Sequence, residues 1–133
     1  MILDDLADLL TSGGVATKGT NLFIGDRMPD TPSELLMIRL SLGMPGAQVM
    51  GQSAGNAVFD TTRFQLEARS SNYVGADTLL RSARNVLDQL SKRTINGTTY
   101  YYCKALQGDP LSLGVDQERR SSVVMNFEVI KGR

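Results

Sequence analysis

Residues able to do chemistry are concentrated in one stretch, QGDPLSLGVDQERR, residues 107–120. Asp109, Asp116 and Glu118 offer carboxylate oxygens to a cation. Arg119 and Arg120 offer forked donors to a phosphate. The spacing weighs against a metal. A calcium loop needs several oxygen ligands at alternating positions around a tight glycine turn. Asp109 and Asp116 stand seven positions apart, with Pro110, Leu111 and Leu113 between them. Asp116 and Glu118 alone have i, i+2 spacing, and two carboxylates make a weak site. The same three acids are the candidates for a carboxylate-dependent hydrolase, but no base or pocket is visible beside them in the sequence. The other reading is a connection between two strands. Gly108 and Pro110 would break the first ladder, Gly114 would turn the chain, and residues 116–120 would lead into the second.

The rest of the chain narrows the chemistry further. There is no histidine in the 133 residues, which excludes Ser-His-Asp and Cys-His catalysis and imidazole zinc sites. Cys103 is the single cysteine, so no intrachain disulfide or thiolate cluster can form. It lies in the apolar run YYYCKAL and reads as a buried structural thiol rather than a reactive one. Phosphate loops, dinucleotide fingerprints, metalloprotease helices and nucleophile elbows are absent. TSGGVATKGT imitates a phosphate loop, but it follows a helix rather than a strand and Lys18 is out of register. No cofactor is expected.

Lys+Arg and Asp+Glu are 14 each, so the formal net charge is zero. A dedicated nucleic-acid binder usually carries a basic excess. The N-terminal MILDDLADLL has no basic flank and is interrupted by three aspartates, so it reads as neither a leader nor a membrane span. The length suits one domain, 1–133, with one core.

The elements that must position these residues follow from periodicity. Residues 2–11 form an amphipathic helix with Ile2, Leu3, Leu6, Leu9 and Leu10 on one face and Asp4, Asp5 and Asp8 on the other. Ser12-Gly13-Gly14 ends it. Residues 21–25 and 34–41 are strands. Residues 59–70 alternate: Phe64, Leu66 and Ala68 face inward, while Arg63, Gln65, Glu67 and Arg69 face solvent. Residues 72–92 are the best helix, with Asn72 as N-cap, Asp77 in the first turn and a mild cost of about 1 kcal/mol for Gly75. Asn96-Gly97 predicts a type I′ hairpin. The strand after it, to Leu106, puts Thr99, Tyr101, Cys103 and Ala105 on one face and Tyr100, Tyr102, Lys104 and Leu106 on the other. Three adjacent tyrosines could stack bases. The charge balance favours sheet packing instead. The last strand, 121–130, turns Val123, Met125, Phe127 and Val129 inward.

The predicted order is α-β-β-loop-β-α-β-β. It implies an α+β fold, a mostly antiparallel or mixed sheet with two helices packed on one face. Residues 42–57, LGMPGAQVMGQSAGNA, contain no charge and show no period. They read as a long loop whose Met44, Val49 and Met50 are costly to leave exposed unless they meet a partner.

Gly-Asp-Pro, then Leu-Gly-Val-Asp, then arginines, then Val-x-Met-x-Phe-x-Val resembles the C-terminal third of a family of small virion proteins of long-tailed bacteriophages. These are the minor capsid, tail-terminator and tail-completion proteins of the head–tail junction. The helix YVGADTLLRSARNVLDQL and the strand after it are similar to the family order. The resemblance implies a compact subunit that assembles as a homo-oligomeric ring, commonly a hexamer, on the head-proximal end of the tail tube. Such a ring stops tube polymerisation and meets the head-completion or connector protein. It implies a virion component assembled in the host cytoplasm, with no catalytic residue, metal or membrane. DNA would pass through the ring without specific recognition. Candidate subunit or tube contacts are Met44, Val49, Met50, Arg63, Glu67, Arg69, Asp116, Arg119 and Arg120. The competing readings are another neck component (a head-completion or head–tail adaptor protein), a small carboxylate-dependent enzyme, and a cellular ligand-binding module.

Overall fold

A computed structural model describes residues 2–25, 34–40, 59–115 and 119–132. The elements are α1 (Ile2–Ser12), β1 (Leu22–Ile24), β2 (Leu35–Leu40), β3 (Phe59–Ser70), α2 (Tyr73–Asp88), β4 (Ser91–Ile95), β5 (Thr98–Ala105), β6 (Leu111–Val115) and β7 (Ser121–Gly132). They form one mixed sheet in the order β1-β2-β3-β7-β5-β4, with β6 also paired to β7. Among the described strands only the β1–β2 pairing is parallel. The α+β expectation therefore holds. The expected order lacked β6 and did not count β4, although the Asn96-Gly97 hairpin calls for a strand at Arg93–Ile95.

The apolar faces meet as their periods demand. The three-residue and four-residue spacing of α1 and α2 places Leu3, Leu6, Leu10, Leu80, Ala83 and Leu87 over Leu36, Ile38, Leu66, Met125 and Val129 of the sheet. At the sheet's centre Phe64 and Phe127 are directly opposite in register and stack with ring centroids 5.3 Å apart. Both helices thus lie on one face, and the other face carries polar side chains beside the buried Leu35, Met37 and Val124.

Local chemistry sets the element ends. α1 stops in a Schellman turn: Val15 N–H donates to the Leu10 carbonyl at 3.1 Å and Gly14 N–H to that of Thr11 at 3.1 Å. Gly14 has φ +77°, which a side chain would resist. Asn72 caps α2, its Oδ1 accepting from Gly75 N–H at 2.6 Å. The Asn96-Gly97 turn has φ of 50° and 84°, the two positive values a type I′ turn requires.

Several sequence expectations are corrected. α2 ends at Asp88, not Lys92, because the chain turns at Gln89 and enters β4 at Ser91. Asp77 is past the first turn and pairs with Arg81 at 2.7 Å instead. Asp5, expected on the solvent face of α1, is buried and accepts hydrogen bonds from Tyr100 Oη and from Asn96 Nδ2, the latter at 2.8 Å. Tyr100 and Cys103, expected on opposite faces, are both buried. A bulge between Tyr100 and Tyr102 adds a residue and shifts the alternation by one.

Candidate functional site

Within the stretch QGDPLSLGVDQERR, residues 111–115 form a strand. β6 occupies residues 111–115 and pairs with β7 through Leu111↔Val124 and Val115↔Ser121. β5 pairs with the other half of the same edge, through Ala105↔Phe127. β5 and β6 are therefore collinear, interrupted by residues 106–110. Two contacts carry the ladder across that interruption. Leu106 N–H donates to the Asn126 carbonyl at 2.8 Å, and Asn126 N–H donates to Gln107 Oε1 at 2.8 Å. The Gln107 side chain stands in for a missing backbone acceptor.

The loop is clamped to α2. Arg81 donates to Asp109 Oδ1 at 2.8 Å, and Arg84 donates to the Gly108 carbonyl at 2.7 Å. Asp109 is thus an exposed ion-pair partner. Asp116 and Glu118 lie outside the described residues. Among the described residues no group of three or more His, Cys, Asp or Glu is placed to hold a metal ion.

β6 is charge-free and exposed along its whole length. Leu111, Leu113 and Val115 are 51%, 58% and 64% exposed. Among the described residues its other edge carries no strand. An apolar strand edge without lysine, proline or a covering helix is a surface proteins normally protect. A bulge between Ser112 and Gly114, where Gly114 has φ +95°, bends it.

The helix-free face of the sheet is the second surface. Here Arg39 pairs with Glu67, Gln65 Nε2 donates to Asn126 Oδ1 at 3.1 Å, and Glu128 accepts from Arg63 at 3.4 Å with Lys104 at 3.5 Å. The cross-strand register sets Gln65 opposite Asn126 and both Arg63 and Lys104 opposite Glu128, while Arg39, opposite Gln65, reaches Glu67 diagonally. Arg69 and Arg120 are buried, and each is engaged within the chain. Arg119 is exposed with φ 61°.

The nine candidate contacts thus divide. Arg63 and Glu67 belong to the paired ladder, Arg69 and Arg120 are inside, and Arg119 is at the surface. Met44, Val49, Met50 and Asp116 lie outside the described residues. The sequence reading missed Leu111, Leu113 and Val115 as surface residues, although their i, i+2 spacing is a strand signal.

Cys103 is buried, and burial, with the Asp88 charge beside it, pushes its thiol up to about 12. It is the structural thiol expected, without thiolate character at neutral pH. Leu9, Ser12, Gly13, Val86, Gln89 and Arg93 line a cleft of about 260 Å³ between the C-terminal ends of the two helices. That is below the usual range for a small-molecule pocket. No described helix is long and apolar enough to cross a membrane.

Comparison with known proteins places this arrangement. A search of curated proteins finds no match. Among solved structures, a chain from the virion of a native gene transfer agent particle aligns with a TM-score of 0.59 at 11% identity, covering 96% of this chain and 84% of that one. A second solved chain aligns with a TM-score of 0.55 at 12% identity, covering 96% and 89%. These likenesses establish the fold. The family is established by sequence: the model of bacteriophage tail terminator proteins matches residues 8–132, nearly the whole chain, and the chain belongs to that family.

Proposed function

We propose that the chain is a structural subunit that assembles as a ring, a hexamer, on the head-proximal end of the phage tail tube. The ring stops tube polymerisation and presents its other face to the head connector. The observation that carries this reading is the family match over residues 8–132. The surfaces support it. One sheet face is sealed by helices, the other carries a fixed pattern of paired charges, and an apolar strand edge is open to a neighbour. A ring needs two different complementary faces on each copy, not a catalytic group.

In this reading Arg119 and Asp116 serve subunit contacts. Met44, Val49 and Met50 lie in a charge-free segment that meets the tube or the neighbouring copy. Assembly takes place in the host cytoplasm, and DNA passes the ring without sequence recognition. The test mixes the purified protein with tail tubes and images the tube ends. Rings at one end of each tube support the reading. Bare ends, or protein bound along the sides, contradict it. Deleting residues 43–56 should weaken tube-end binding; unchanged binding would remove that segment from the contact.

A further inference from the structure

Most described cations have a partner inside the chain. Lys18, Arg39, Arg63, Arg81, Arg84 and Lys104 are in ion pairs. Arg69, Arg120 and Lys131 are engaged as well. Among the described residues this leaves Lys92, Arg93 and Arg119 without an ion pair. Lys92 and Arg93 are neighbours on β4, and both are exposed. Lys92 also has φ 47° in mid-strand, a backbone that side chains resist. The pairings Ser91↔Tyr102 and Arg93↔Tyr100 hold it there from both sides. Strain held in this way gathers at binding sites.

Arg93 is also one wall of the cleft between the C-terminal ends of α1 and α2. Leu9 is buried and Val86 half-buried, while Ser12, Gln89 and Arg93 are exposed. The cleft thus has an apolar floor and a polar rim. Its volume of about 260 Å³ is small for a free ligand and sufficient for one side chain. Open helix C-termini would repel an anion. Here the Leu9, Leu10 and Thr11 carbonyls accept from Gly13, Val15 and Gly14 N–H, and those of Val86 and Leu87 accept from Gln89 and Leu90 N–H. The acids near these helix ends are already matched, Asp8 by Lys18 at 3.6 Å and Asp88 by Arg84 at 3.4 Å. The uncompensated charge at the cleft is therefore positive.

We propose that this cleft is the docking site for one acidic side chain of a partner protein. The carboxylate bonds the forked Arg93 guanidinium, with the Lys92 ammonium beside it. The Ser12 hydroxyl and the Gln89 amide are further donors on the rim. The methylenes of a glutamate lie on Leu9 and Val86. The proposal is independent of the ring reading, since it needs an acidic partner and not a closed assembly.

The test titrates an acetylated, amidated tetraglutamate peptide into the isotope-labelled protein and follows the amide resonances by NMR. The expected result is saturable shifts at Gly13, Gln89 and Arg93, with Arg119 unmoved. A tetraglutamine peptide should leave the cleft unchanged, a comparison that needs no variant. Arg93→Gln, at an exposed position, should weaken tetraglutamate binding about tenfold or more through loss of the charge-assisted bonds. Arg119→Gln removes the other unpaired arginine and should leave the affinity as it was. Resonances far from the cleft report that each variant is folded. An absence of shifts at the cleft up to about 10 mM peptide would overturn the proposal. Equal shifts at Arg119 would also overturn it, as attraction to any exposed cation. So would equal binding of tetraglutamine, or undiminished affinity in a folded Arg93→Gln protein.

Discussion

At the scale of residues, Asp5, Tyr100 and Cys103 hold the fold together. Tyr100 is buried and its hydroxyl donates to Asp5, which also accepts from Asn96. Burial first, and then the hydrogen bond to Asp5, holds the phenol well above the ordinary tyrosine range. The contact ties α1 to the β4–β5 hairpin across most of the chain. Tyr100→Phe should lower stability by about 1.5–3 kcal/mol, the range for a hydrogen bond to a charged group. Urea unfolding of the two proteins measures it, and equal midpoints would refute the tie. Cys103 makes a pH prediction. Its folded pKa is raised from 9.0 to about 12, so the folded state holds the thiol proton more tightly than the unfolded one. Its contribution is complete below pH 9 and is lost as pH rises from about 9 through about 12. Cys103→Val should flatten the fall in urea midpoint over that window. Identical pH profiles would contradict this. The burial of Cys103 was legible in its apolar run, but the Asp5–Tyr100 tie was not: a spacing rule assigns Asp5 to the wet face, and the bulge that brings Tyr100 inward leaves no mark in YYYC.

At the scale of elements, the sequence was most readable where period and cap agree. The Asn72 cap, the α2 face and the Asn96-Gly97 turn stand where their chemistry puts them. Gly75 shows the limit of propensity. Inside α2 it should be worse than alanine by about 1 kcal/mol. In place, a Cβ there would come within 2.6 Å of Ser70 Oγ and 3.2 Å of Asn72 Oδ1. The glycine leaves room for the cap. Gly75→Ala should therefore destabilise, by about 0.5–2 kcal/mol if the cap is lost. A higher melting temperature would show that propensity wins. Gly13 has a similar role, since a Cβ there would meet Val86 Cγ2 at 2.8 Å. β6 escaped the sequence reading because Pro110 and Gly114 resemble loop residues. Pairing with β7 is a long-range contact that a local pattern does not contain.

At the scale of the whole molecule, the fold class followed from faces that had to be buried together. The assembly role did not follow from them. A neutral, histidine-free α+β chain is compatible with many functions, and the family match supplied the one that the surfaces then support. Among the described residues Asp5, Glu67, Asp109 and Glu128 are matched by tyrosine, asparagine, arginine or lysine partners on neighbouring elements. Triple substitution of Asp109, Asp116 and Glu118 by alanine should leave tail assembly without an enzymatic defect. An altered small-molecule product would revive the hydrolase reading. The central claim concerns tail ends, and the most direct measurement is the tail length distribution in particles made with and without this protein. With it, the lengths should be uniform and each head-proximal end should carry a ring. Without it, the tubes should run long and uneven and fail to join heads. Uniform tails that join heads in its absence would contradict the account.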